Sequence, residues 1–134
     1  MAEEILYNDG GAPARILPFI AGEALSAGDV LAIGNDGNLI KADTTHSHGA
    51  GHREYCIGVS LLDTALGDMA SVVSGKGIVV NANTVGSLSA GKGLKVGAVA
   101  GQYAAATAFT ENVCAVLMED STDAGLYKVM IIGG

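Results

Sequence analysis

Tryptophan is absent, phenylalanine occurs only at Phe19 and Phe109, and aromatic residues make up 4% of the chain. A stacking platform for sugars therefore has almost no material. Basic residues are scarce as well. Seven Lys+Arg stand against 14 Asp+Glu, a formal net charge of −7, whereas phosphate neutralisation needs clustered Lys and Arg. Nucleic acid is not an expected partner. No stretch approaches the roughly 18 apolar residues of a membrane helix, so no membrane partner is expected either. The opening Met1-Ala2-Glu3-Glu4 is acidic where an export signal would be basic, which points to synthesis in the cytoplasm. The cysteines, Cys56 and Cys114, lie too far apart for a C-x-x-C redox or zinc motif. They read as two buried free thiols, with a disulfide between them left open.

What the chain has in quantity is small apolar residues. It carries 134 residues, one domain's worth, with 49% hydrophobic and 16% charged, which excludes a disordered chain. Much of the apolar fraction is alanine, and there are 20 glycines. Burying alanine contributes far less than the roughly 1.5–3 kcal/mol of a buried Val, Leu or Ile, and each glycine adds to the entropy lost on folding. A thin margin of stability follows, and with it an expectation of self-association or a partner.

An internal repeat organises the sequence. Leu25-Ser26-Ala27-Gly28-Asp29-Val30-Leu31-Ala32-Ile33-Gly34 recurs sixty-three residues later as Leu88-Ser89-Ala90-Gly91-Lys92-Gly93-Leu94-Lys95-Val96-Gly97. Cys56, Gly67 and Gly75 then match Cys114, Gly125 and Gly133 at a spacing of fifty-eight. Two half-domains, about 25–75 and 88–133, share one plan, and the first is longer through Thr44–Glu54. Short apolar runs bounded by glycine read as strands: Val30–Ile33, Leu39–Ala42, Tyr55–Leu61, Ala70–Ser74, Ile78–Asn81, Val113–Met118 and Leu126–Ile132. Asp36-Gly37 predicts a type I′ hairpin, with Gly101-Gln102 as its counterpart. In the last run apolar residues on both faces predict burial on both sides. The expected fold is all-β: a small barrel- or tulip-like domain of two similar halves over 18–134, with little helix. Residues 1–17 form an extended N-terminal arm in this reading, with Ile5, Leu6, Tyr7, Ile16 and Leu17 as its contact residues. An edge strand of the same domain is the alternative for that segment, favoured for 14–20.

Catalytic patterns are missing. There is no G-x-S-x-G elbow and no G-x-x-x-x-G-K-[ST] loop. All three histidines, His46, His48 and His52, fall in one Gly/Ser-rich stretch flanked by Asp43 and Glu54. Three imidazoles suit zinc, nickel or copper, but the stretch has no counterpart in the other half, and it reads as a solvated loop. Glu119, Asp120 and Asp123 read as a solvated turn, since the calcium-loop pattern is absent. No enzyme and no cofactor emerge.

The run Pro18-Phe19-Ile20-Ala21-Gly22-Glu23-Ala24-Leu25-Ser26-Ala27-Gly28-Asp29-Val30-Leu31 resembles the opening of the small capsid cement, or decoration, proteins of tailed viruses. Ile57-Gly58-Val59 followed by Gly67-Asp68-Met69-Ala70-Ser71-Val72-Val73-Ser74-Gly75-Lys76-Gly77-Ile78-Val79 is similar to that family's middle, and Leu88-Ser89-Ala90-Gly91 repeats the opening. The resemblance covers about 18–134. It implies a β-tulip or barrel that assembles as a homotrimer, binds the major capsid protein on the outer capsid surface of the virion, and carries no catalytic residues. The His-containing stretch departs from the pattern. L-S-A-G-D-V-L also resembles turns of lipoyl-like hammerhead barrels. The tip at Asp36-Gly37 lacks their lysine, which leaves a non-catalytic ligand- or receptor-binding module as the alternative.

Overall fold

A computed structural model describes residues 5–7, 15–34, 36–43, 56–107 and 113–132. Its strands are β1 (Ile5–Tyr7), β2 (Arg15–Ile20), β3 (Val30–Ile33), β4 (Leu39–Lys41), β5 (Gly58–Ser60) and β6 (Met69–Ser74). They continue as β7 (Val79–Thr84), β8 (Gly93–Val96), β9 (Tyr103–Ala105), β10 (Ala115–Leu117) and β11 (Gly125–Ile131). The described residues contain no helix. The fold is all-β in two similar halves, as the Val- and Ile-rich runs imply, since branched side chains pack well on a pleated surface.

Each half closes on itself. The first sheet runs β2-β6-β5-β3-β4, and a parallel bridge between Ala21 and Leu39 joins its ends. There the Gly22 N–H donates to the Leu39 carbonyl at 2.7 Å. The second runs β7-β11-β10-β8-β9 and closes where Thr84 pairs in parallel with Tyr103. The Val85 N–H donates to the Tyr103 carbonyl at 3.0 Å. β1 adds a sixth strand beside Val79 and Val80, further along the same edge of β7. Closure leaves few free edges for stray pairing.

The duplication holds down to single hydrogen bonds. Ser26–Asp29 and Ser89–Lys92 are type II turns, each with its glycine, Gly28 or Gly91, at φ 91. The Ala27 N–H donates to Asp63 Oδ1 at 2.8 Å, and the Ala90 N–H to Asp120 Oδ1 at 2.8 Å. The pairing corrects the spacing after this motif. Leu31 faces Gly58 and Leu94 faces Ala115; the Ile57 N–H donates to Leu31 and the Cys114 N–H to Leu94. Cys114 therefore takes the place of Ile57, and the two cysteines are one position out of equivalence. The Asp36-Gly37 hairpin also forms, but through a different turn. Gly37 has φ 84 while Asp36 is not at positive φ, and the Gly37 N–H returns to the Gly34 carbonyl at 3.0 Å. A bond from Gly37 back to Gly34, ending on a left-handed glycine, stands where the type I′ turn was expected.

Two cores result. Leu25, Leu31, Leu39, Ala70 and Val72 fill the first ring, with Phe19 and Ile57 packed against them. A second cluster spans both halves: Val30, Ala32, Ile40, Val59 and Val73 meet Val80, Leu94, Tyr103, Leu117, Val129 and Ile131. β3 is thus buried on both faces, which explains its unbroken Val-Leu-Ala-Ile. Its counterpart β8, Gly-Leu-Lys-Val, is buried on one face only. β11 differs from expectation in the same way. Val129 and Ile131 enter the core, while Leu126 is exposed and Lys128 and Met130 are half-buried.

Candidate functional site

His46, His48, His52 and Glu54 lie outside the described residues. Among the described residues no three His, Cys, Asp or Glu side chains come together as metal ligands. Two of the acids in the 119–123 turn, Glu119 and Asp120, bind backbone N–H groups through their carboxylates. Glu119 Oε2 accepts the Lys128 N–H at 2.7 Å, and Asp120 caps Ala90 as described. The Asp123 carbonyl accepts the Tyr127 hydroxyl at 2.7 Å. Ile5, Leu6 and Tyr7 form β1 against β7, and Ile16 and Leu17 sit in β2 opposite Val73 and Val72.

A polar seam joins the halves. The Val30 N–H donates to the Gly101 carbonyl, the Gly101 N–H to Ala42, and the Asn83 N–H to Gly28 at 2.8 Å. Asp29, 7% exposed, sits at its centre. Its Oδ2 accepts the Ser26 N–H at 2.8 Å, and the Asn83 side chain donates to it. Gln102 Nε2 in turn donates to Asn83 Oδ1 at 3.4 Å. Burial raises the Asp29 carboxyl above its usual range, against the pull of these hydrogen bonds and of Lys41. Three backbone bonds and the Asp29–Asn83 contact cross between the halves, so the seam is structural.

Cys56 and Cys114, both reduced, meet inside the shared core although they belong to different halves. Cys56 Sγ lies 3.8 Å from the Tyr103 hydroxyl, and its thiol hydrogen-bonds to Cys114. That bond and burial push the Cys56 thiol far up. The same bond moves Cys114 down to about 7, so only one of the two thiols is raised in the way apolar surroundings imply. Nothing in a spacing of fifty-eight residues signals this contact.

The outward-facing apolar residues are a third feature that sequence reasoning missed. Ile20 (41% exposed) faces Met69 (63%) across the β2–β6 pairing. Leu66 (69%) lies in the turn that Ala21 hydrogen-bonds through Gly67 and Asp68. Together they form an apolar surface at one end of the first ring. At the corresponding positions of the second half stand Asn83 and Leu126, paired in the same way. The available signal was Ile20 and Met69 at the outward positions of strands whose Phe19 and Ala70 point inward.

No family model matches the chain, and no curated protein matches it. Among solved structures it is similar to the crystal structure of the head fiber gp8.5 N base of bacteriophage phi29. The TM-score is 0.62 at 16% identity, covering 89% of this chain and 94% of that one. The likeness is one of fold.

Proposed function

We propose that this chain is a structural protein of a tailed-virus particle, a decoration or cement protein on the outer surface of an icosahedral shell. The observation that carries the reading is the shared fold with the base of a phage head fiber over nearly the full length of both chains. Its partners are the major capsid protein and two further copies of itself. The role is non-catalytic: a domain that covers seams between shell subunits adds buried area, and many copies of a modest interface hold a shell.

The chemistry of the surface suits that work. The apolar group of Ile20, Leu66 and Met69 is exposed, and such patches are where soluble proteins make contacts. Ile5, Leu6, Tyr7, Ile16 and Leu17 extend the proposed contact along the N-terminal segment. The net charge of −7 keeps decorated particles mutually repelling. The test is quantitative mass spectrometry of purified particles, followed by binding of Leu66→Lys and Met69→Lys variants to bare shells. The expected result is a fixed ratio to the major shell protein, on the order of hundreds of copies, and about a tenfold weaker attachment of the variants. Absence from particles overturns the reading in favour of a ligand- or receptor-binding module.

A further inference from the structure

The contact between Cys56 and Cys114 has no part in binding a shell. Each thiol is almost completely buried, at 1% and 0% exposure. One comes from the first half, just before β5, and the other from the second, just before β10. They hydrogen-bond directly, with the Tyr103 hydroxyl 3.8 Å from Cys56 Sγ. Two buried thiols in hydrogen-bond contact are already neighbours, the first requirement for a bond between their sulfurs. We infer that Cys56 and Cys114 form a redox lock: an internal disulfide that ties the two half-domains when the chain meets an oxidising environment.

The chemistry is thiol–disulfide exchange with a low-molecular-weight disulfide as oxidant. The thiolate of one cysteine attacks one sulfur of that disulfide, whose S–S bond breaks and releases the first small thiol. The other cysteine then gives up its proton and attacks the protein sulfur of the mixed disulfide, expelling the second small thiol. Two protein thiols are oxidised, and one external disulfide is reduced to two thiols that carry away the protons. Burial sets the timing. A bulky oxidant reaches these sulfurs only before the shared core closes or while the seam is open, so a folded chain in a reducing cytoplasm stays in the dithiol form. The cross-link does not depend on what the domain binds.

The effect on stability follows from what is tied together. Joining positions 56 and 114 restrains the unfolded chain over nearly sixty residues and across the seam that separates the halves. The test uses the wild-type protein, refolded from urea in a mixture of reduced and oxidised glutathione and compared with protein kept in dithiothreitol. The lock predicts an intact mass lower by about 2 Da, loss of both titratable thiols, no glutathione adduct, and a Tm higher by about 5–15 °C. Cys56→Ser refolded alike should trap the first step as a stable glutathione adduct on Cys114. Wild-type protein that ends as glutathione adducts, that stays a dithiol, or that gains the cross-link without a rise in Tm overturns the inference.

Discussion

Gly86 and Gly91 are both required by the fold, for opposite reasons, and one set of substitutions separates them. A Cβ on Gly91 meets nothing within 4 Å, but the backbone there has φ 91. Alanine pays only conformational strain, about 1–2 kcal/mol, partly offset by the entropy it removes from the unfolded chain, about 0.4–1 kcal/mol. The net expectation for Gly91→Ala is a loss of about 1 kcal/mol. Asn tolerates the left-handed region, so Gly91→Asn should recover about half of it. Gly86 has no such φ; instead its Cβ would lie 2.5 Å from the Thr122 carbonyl oxygen and 2.8 Å from Asp123 Cα. The neighbouring backbone cannot retreat freely, because the Ser87 N–H is bonded to that same Thr122 carbonyl at 3.1 Å and Leu88 bridges Ser121. Gly86→Ala should cost about 3 kcal/mol, and Gly86→Asn at least as much. Urea unfolding with constant m-value reads all four variants. A Gly86→Ala protein within about 0.5 kcal/mol of wild type, or a Gly91→Asn protein no better than Gly91→Ala, refutes the reasoning.

Asp29 gives the seam a pH signature. Its folded pKa lies above the unfolded value because burial disfavours the charge, so the folded state holds the proton more firmly. Its contribution to stability is therefore greatest once pH has fallen below the unfolded value, and is lost as pH rises through the folded one. Asp29→Asn removes this dependence while keeping an acceptor for the Ser26 N–H. The stability of Asp29→Asn relative to wild type should improve between about pH 4 and pH 7, as measured by urea melts; a gap that is flat or shrinks the other way contradicts it. Ser87 is the only non-glycine at positive φ among the described residues, at φ 64. Ser87→Val should lose about 1–2 kcal/mol and Ser87→Gly essentially none, and thermal melts that rank the two equally would remove strain as the cause.

The strands were legible where side chains alone decide them. Val30–Ile33 emerges as expected and Leu39–Ala42 emerges as the shorter Leu39–Lys41, because short apolar runs beside turn glycines have few other uses. β8 and β9 escaped notice. Gly93-Leu94-Lys95-Val96 and Tyr103-Ala104-Ala105 carry too few large apolar residues to stand out, although the repeat itself places β8 on β3. The same repeat misled at the cysteines, where an identity of residue type outweighed a register fixed by backbone hydrogen bonds. The thiol contact, the seam around Asp29 and the outward apolar group all come from residues distant in sequence. Periodicity is local, so none of them leaves a trace in it.

The way the two halves break their symmetry bears on where binding occurs. In the second half Asn83, opposite Leu126, is spent on the seam: its N–H reaches Gly28 and its side chain reaches Asp29. Ile20 holds the same place in the first half, opposite Met69, but has no further half-domain to meet and faces solvent. A duplicated fold thus uses one copy of this position internally and leaves the other copy outward. Selection for solubility alone would have made the outward copy polar, as the seam made the inner one. Ile20 and Met69 instead keep an apolar pair there, with Leu66 beside them. Side chains this exposed gain by being covered, and on the proposed function that is why Leu66→Lys and Met69→Lys probe attachment more directly than changes in the closed rings.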